Sequence, residues 1–156
     1  MISSHQELSV VEFEVDDQTP EDLSIALERL RELAPVFDVL QMPAFGKKGR
    51  MLVHVRVLAQ PSAVHDVIAA CFRETSTIGL RHHLVSGVAL QRKVTKVETD
   101  QGTNVRVKVV ERPGGGPSAK AEADDVAHVN GGYAARVALR TAAERRARGS
   151  QDSGSE

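Results

Sequence analysis

Tryptophan is absent from the 156-residue chain, and its aromatic residues are one tyrosine and four phenylalanines. Proteins that grip single-stranded nucleic acid stack bases on aromatic rings, so this class is nearly excluded. Cysteine is equally scarce. The single Cys71 excludes a disulfide framework and any multi-cysteine zinc or iron–sulfur centre. No apolar run reaches 18 residues, so neither a membrane-spanning helix nor a membrane partner is expected. The N-terminus, MISSHQELSVVEFEV, lacks a basic stretch followed by an apolar one. No signal peptide is expected, and the expected location is cytoplasmic. What remains is an ordinary soluble composition, 41% hydrophobic and 26% charged, in a length that suits one domain or two very small ones.

The net charge of −1 hides an asymmetry. Residues 1–38 carry ten acids against Arg29 and Arg31, whereas residues 46–112 carry twelve Lys/Arg against five acids. Opposite blocks can simply attract each other within a fold. They can also supply carboxylates for a cation and cations for phosphates.

Val11, Phe13 and Val15 alternate with Glu12 and Glu14, the period of a strand with one wet face. Thr19-Pro20-Glu21-Asp22 reads as a helix start: a hydroxyl cap, proline at the first helical position and acids in the first turn. Leu23, Leu27, Leu30 and Ala34 follow at helical spacing, and Pro35 stops the helix. Residues 36–42 and 52–58 read as strands around a Pro43–Gly49 loop. Val64, Val67, Ile68, Cys71 and Phe72 mark a second amphipathic helix, with Cys71 a buried thiol on its apolar face. A fourth strand runs over 80–85. The order β-α-β-β-α-β is a ferredoxin-like layout.

Strands over 94–99 and 104–110 follow, joined by a turn containing Asp100-Gln101-Gly102. Pro113 to Pro117 reads as a flexible link, and residues 119–129 and 132–148 as Ala-rich helices. The fold class is therefore α+β. A ferredoxin-like domain over 1–86 is followed by a hairpin-plus-helices extension over 87–148 and a disordered tail over 149–156. Open sheets with short helices leave apolar faces and edges to cover, so a homo-oligomer is expected.

Four clusters can carry chemistry, each beside a plainer alternative. Gly46-Lys47-Lys48-Gly49-Arg50 is either a solvated loop or an anion cradle, though its spacing is not that of a Walker loop. Arg73-Glu74-Thr75-Ser76-Thr77-Ile78-Gly79-Leu80-Arg81 either caps a helix or offers hydroxyls and forked guanidiniums to anionic oxygens. Asp16-Asp17 either favours the following helix N-terminus or holds a hard cation such as Mg²⁺ or Mn²⁺. Glu122, Asp124 and Asp125 repeat that choice before the third helix. His82-His83 sits in a strand, where neighbours point to opposite faces and do not share one ion; His54 and His128 carry no motif.

Together these segments resemble the C-terminal domain of the LarC family. That family inserts nickel into a pyridinium bis-thiocarboxylate mononucleotide to give the nickel-pincer cofactor. The resemblance runs from about residue 10 to residue 145. Val15-Asp16-Asp17 with Thr19-Pro20-Glu21 matches an LDD-x-TPE segment, Lys47-Lys48-Gly49-Arg50 a KKxR loop, and Phe72 to Arg81 an FRET-[ST]-T-x-G-x-R segment. Gly102 with Val105-Arg106-Val107-Lys108-Val109 matches a G-x-VRVKV strand, and Glu122-Ala123-Asp124-Asp125 stands where the family has PE-[YF]-ED. Ala121, Ala123 and Val126 depart from the family's Pro, aromatic and Cys.

The resemblance implies CTP as ligand, Mg or Mn as its metal, and nickel as the inserted metal. It implies a part in a CTP-dependent nickel chelatase of the lyase class, a cyclometallase. The expected partners are a nucleotide and a separate N-terminal nickel-insertion subunit, and not a nucleic acid. Lys47, Lys48, Arg50, Arg73, Thr75, Thr77 and Arg81 are the phosphate-binding candidates, with Arg106 and Lys108 added. Asp16 and Asp17 are the metal candidates, and no residue is assigned catalysis. The alternative function is a regulatory or scaffolding oligomer that keeps the fold without the chemistry.

Overall fold

The computed structural model describes residues 2–99 and 102–152. They divide into two compact units, one spanning His5–Gly87 and one formed by residues 88–152 with residues 2–4.

Apart from residues 2–4 of β1 and 88–90 of β4, the first unit is built from β1 (Ile2–Val15), α1 (Pro20–Arg31), β2 (Val36–Phe45), β3 (Met51–Ala59), α2 (Val64–Glu74) and β4 (Arg81–Leu90). The sheet order is β2-β3-β1-β4, the ferredoxin-like arrangement expected from the element order. The helix start at Thr19 is made as its residues dictate: Asp22 N–H donates to Thr19 Oγ1 at 3.2 Å, with Pro20 in the first turn.

Antiparallel register sets what each sheet face does. Val11 opposes Val57 and Phe13 opposes Val55, and all four are buried with Leu23, Leu27 and Leu30 of α1 and Val67 and Cys71 of α2. Truncating Phe13 to alanine would cost about 3–5 kcal/mol. The intervening residues carry the other face: Glu12 opposes Arg56, and Glu14 opposes His54. On β2, Met42 also pairs with His54, and Ala44 with Leu52.

The second unit is an antiparallel sheet in the order β5-β6-β7, from β5 (Arg92–Glu98), β6 (Asn104–Glu111) and β7 (Pro117–Ala121). It is followed by α3 (Ala123–Ala127) and α4 (Gly132–Asp152). Val97, Val105, Val107, Val109 and Ala121 bury one face of the sheet with Leu139, Ala143 and Ala147. Those three lie four residues apart along α4, one stripe of the helix.

Two expectations are corrected here. Residues 119–129 are not one helix: 117–121 form β7, and helix resumes only at Ala123. Pro113 to Gly116 is a turn and not a loose link. Gly114 has φ +71 and Gly115 N–H bonds to Arg112 O, which returns Pro117 to its place opposite Glu111. Alanine is tolerated in either state, so pairing with β6 decides against local helix propensity. α4 runs on through Asp152, while residues 153–156 of the expected tail lie outside the described residues. So do Asp100 and Gln101 of the expected hairpin turn; next to them Gly102 N–H donates to Thr99 O at 2.8 Å.

Candidate functional site

The open end of the β2–β3–β1–β4 sheet holds a cleft of about 470 Å³. Glu14 and Asp16 come from the end of β1 and the residue beyond it. Ala44 and Phe45 end β2, Gly46, Lys47 and Arg50 form the connecting turn, Leu52 and His54 come from β3, and Arg81 begins β4. Four strands thus meet at one end of the sheet, β2 and β3 joined directly by the turn and β1 and β4 brought in from far along the chain.

The turn is tight. Gly46 N–H donates to Arg50 O at 2.9 Å, and Lys48 (φ 59) and Gly49 (φ 69) take left-handed backbone. A β-carbon on Gly46 would stand 2.6 Å from Leu52 Cδ2, so the missing side chain lets the turn rest on Leu52. This geometry places Lys47 and Arg50 in the cleft lining, whereas Lys48 is not part of it.

Glu14 is the electrostatic centre of the cleft. Its carboxylate accepts from the Arg81 guanidinium and lies 3.1 Å from His54 Nδ1. The Arg81 hydrogen bond holds the Glu14 carboxyl below the usual carboxylate range, with His54 adding to the effect and partial burial opposing it. Reciprocally, Glu14 pushes the Arg81 guanidinium further toward its charged form. Glu12 extends the network, 3.7 Å from His54 Nε2 and 3.5 Å from Arg56 Nε. Arg50 stands 3.7 Å from Asp16. Both Arg50 and Arg81 are about two-thirds exposed, so each can turn toward a ligand.

The candidate residues from the sequence separate clearly. Lys47, Arg50, Arg81 and Asp16 share the cleft. Arg73 is elsewhere, lining a hollow beside α1 and α2 and joining Arg29 on the Glu74 carboxylate at 3.0 and 2.9 Å. These two arginines hold the Glu74 carboxyl low. Asp17 turns to the same side and accepts from Ser76 Oγ. Thr75 is buried, and its hydroxyl donates to Cys71 O at 2.7 Å, closing the end of α2. Thr77 donates to Gly79 O at 2.9 Å.

Arg106 and Lys108 belong to the second unit. Asp125 accepts from Arg106 through the backbone N–H, Nε and a terminal nitrogen, at 2.7 to 2.9 Å. These bonds bring the Asp125 carboxyl down to about 2. Lys108 pairs with Glu122 at 2.6 Å. The acidic segment Glu122–Asp125 therefore neutralises the strand cations beside it.

Glu14, His54 and Phe45 are not among the site candidates from the sequence, and His54 carries no motif there. Alternation places Glu14 and His54 on wet faces, but only the β1–β3 register sets them opposite each other.

Among the described residues, no three or more His, Cys, Asp or Glu side chains are grouped to hold a metal ion. The cleft does offer the Asp16 carboxylate among cations. Such a donor set fits a divalent metal carried on phosphate oxygens, since Mg²⁺ commonly takes one or two carboxylates plus phosphates and water.

The sequence profile of a family described as "Nickel insertion protein" matches residues 2–137. A pyridinium-3,5-bisthiocarboxylic acid mononucleotide nickel insertion protein of Clostridium kluyveri is 36% identical over 97 residues, 62% of this chain and 24% of its own length. A putative nickel insertion protein of Syntrophobacter fumaroxidans is 38% identical over 118 residues, 76% of this chain and 30% of its own. The chain thus spans a quarter to three-tenths of the length of these relatives. Among solved structures, LarC2, the C-terminal domain of a cyclometallase involved in synthesis of the NPN cofactor of lactate racemase, superposes with TM-score 0.76 at 26% identity. The match covers 90% of this chain and 96% of that one. Protein MK0293 of Methanopyrus kandleri shares the fold, with TM-score 0.67 at 21% identity over 92% of this chain and 90% of its own.

Proposed function

The chain belongs to the nickel insertion protein family, and on that premise we propose that it binds CTP with Mg²⁺ or Mn²⁺ and serves nickel insertion into a pyridinium bis-thiocarboxylate mononucleotide. In this reading it acts with a further part that supplies the remaining three-quarters or so of its relatives' length. Nickel is cargo, and the nucleotide–metal complex occupies the β2–β3–β1–β4 cleft. The activity is that of a cyclometallase, the word attached to the LarC2 neighbour.

The observation that supports it is the meeting of Lys47, Arg50 and Arg81 around Asp16 in one cleft. A triphosphate carries about four negative charges at neutral pH. Forked guanidiniums match its oxygens in pairs, and the lysine adds a compact charge. Asp16 would hold the metal from the protein side, and the metal would neutralise phosphate charge. Glu14 keeps Arg81 oriented before the ligand arrives and competes with it for the guanidinium.

Calorimetric titration with CTP, with and without Mn²⁺, tests the reading. Binding should be metal-dependent, and Lys47→Ala with Arg81→Ala should weaken CTP more than CMP. No heat and no thermal shift at millimolar nucleotide would remove the nucleotide role. The second reading, an oligomeric regulatory module, draws on exposed apolar residues of the edge strand β2: Phe37, Leu40 and Met42. Under that reading the chain self-associates and ignores CTP.

A further inference from the structure

We propose that Phe45 is the stacking surface for the flat ring of the ligand, and so the residue that distinguishes a nucleotide from a bare polyphosphate. The inference rests on the nucleotide reading above and extends it from the phosphates to the base.

Phe45 lines the cleft and is 78% exposed, in a chain with five aromatic residues. An aromatic side chain this open gives up most of the burial that makes such residues stabilising. It ends β2 one residue before Gly46 and two before Lys47, so the ring and the cationic turn are neighbours in the chain. Its cross-strand partner Met51 is 70% exposed, leaving the ring uncovered on the strand side that pairs it. Ala44 and Leu52 pair beside it and also line the cleft. Neighbours along a strand face opposite ways, so Phe45 and the Ala44–Leu52 pair are the aromatic and apolar parts of the lining on the two faces of the strand end. The rest carries Lys47, Arg50 and Arg81 with Glu14, Asp16 and His54.

A ligand that satisfies both parts has a flat apolar-faced ring at one end and a polyanion at the other. Nucleotides have this character. Stacking on a phenyl ring tolerates any base, so selectivity for cytosine must come from edge contacts and not from Phe45.

The test compares CTP with inorganic tripolyphosphate by calorimetry on the full chain, in Mg²⁺ buffer. Wild type should bind both, CTP the more tightly. Phe45→Ala should weaken CTP by about 5- to 150-fold and leave tripolyphosphate unchanged, and Phe45→Tyr should restore CTP. Unchanged melting and unchanged mass of the variant complete the expected result. If Phe45→Ala binds CTP as wild type does, loses both ligands equally, or changes only the state of association, the stacking role is overturned while the phosphate site stands. If wild type binds neither ligand, the nucleotide reading itself fails, and this inference with it.

Discussion

The Arg81 guanidinium donates to the Glu14 carboxylate, tying the first residue of β4 to the penultimate residue of β1 at the mouth of the cleft. The bond neutralises a cation that an anionic ligand would use. Glu14→Gln should therefore tighten tripolyphosphate binding by about two- to fivefold, the scale of one screened surface charge. The same variant reports on pH. Glu14 titrates below its ordinary 4.5 in the folded state, so its contribution to stability is present above that value and is lost as pH falls through the depressed folded pKa. Melting curves of wild type and Glu14→Gln should converge in acid. A constant gap between them would show that Glu14 is not held low.

Lys47 and Lys48 are sequence neighbours with different positions. Lys47 lines the cleft, and Lys48 occupies a left-handed position outside its lining. Lys47→Ala should weaken CTP about tenfold, one charge-assisted contact. Lys48→Gly should leave affinity nearly unchanged and relieve about 1 kcal/mol of backbone strain, less the entropy that glycine adds to the unfolded chain. Equal losses of affinity in both variants, measured by titration, would put Lys48 back in the site.

Asp125 holds Arg106 through the backbone and the guanidinium together. Asp125→Asn should lower the melting temperature by a few degrees at pH 7. The folded carboxyl titrates at about 2 against an ordinary 3.8. The stabilisation is therefore complete above 3.8 and disappears as pH falls through 2. Scanning calorimetry at pH 7 and near pH 2 should show the difference closing; a difference that persists would point to packing alone.

Cys71 is buried on α2, and burial pushes its thiol up to about 11. A thiolate-directed reagent at pH 8 should react with it only as fast as the chain unfolds, and with one equivalent in denaturant. Because the folded pKa lies above the unfolded value near 9, the thiol favours the folded state fully below 9 and loses that effect toward 11. Rapid labelling of the native protein would contradict its placement.

Much of the first unit was legible because its signals are local. The alternation of Val11, Phe13 and Val15, the Thr19-Pro20 cap and the apolar stripe of α2 each need only neighbouring residues. β7 was not, since Ala119 and Ala121 carry no strand preference and gain one only from Val109 and Val107 opposite them. The candidate site divides the same way. Lys47, Arg50, Arg81 and Asp16 were visible as charged residues at element ends. The Glu14–His54 pair and the separation of Arg73 from Arg81 depend on register and on where α2 delivers the chain.

That separation gives the sharpest test. Arg73 and Arg81 lie in one sequence motif, yet only Arg81 lines the cleft of Lys47, Arg50 and Asp16. Affinity for Mn²⁺–CTP should fall by about tenfold or more in Arg81→Ala and stay within about twofold of wild type in Arg73→Ala. Equal losses in the two variants, or a wild-type chain that takes up no nucleotide at millimolar concentration, would contradict the cleft as the site.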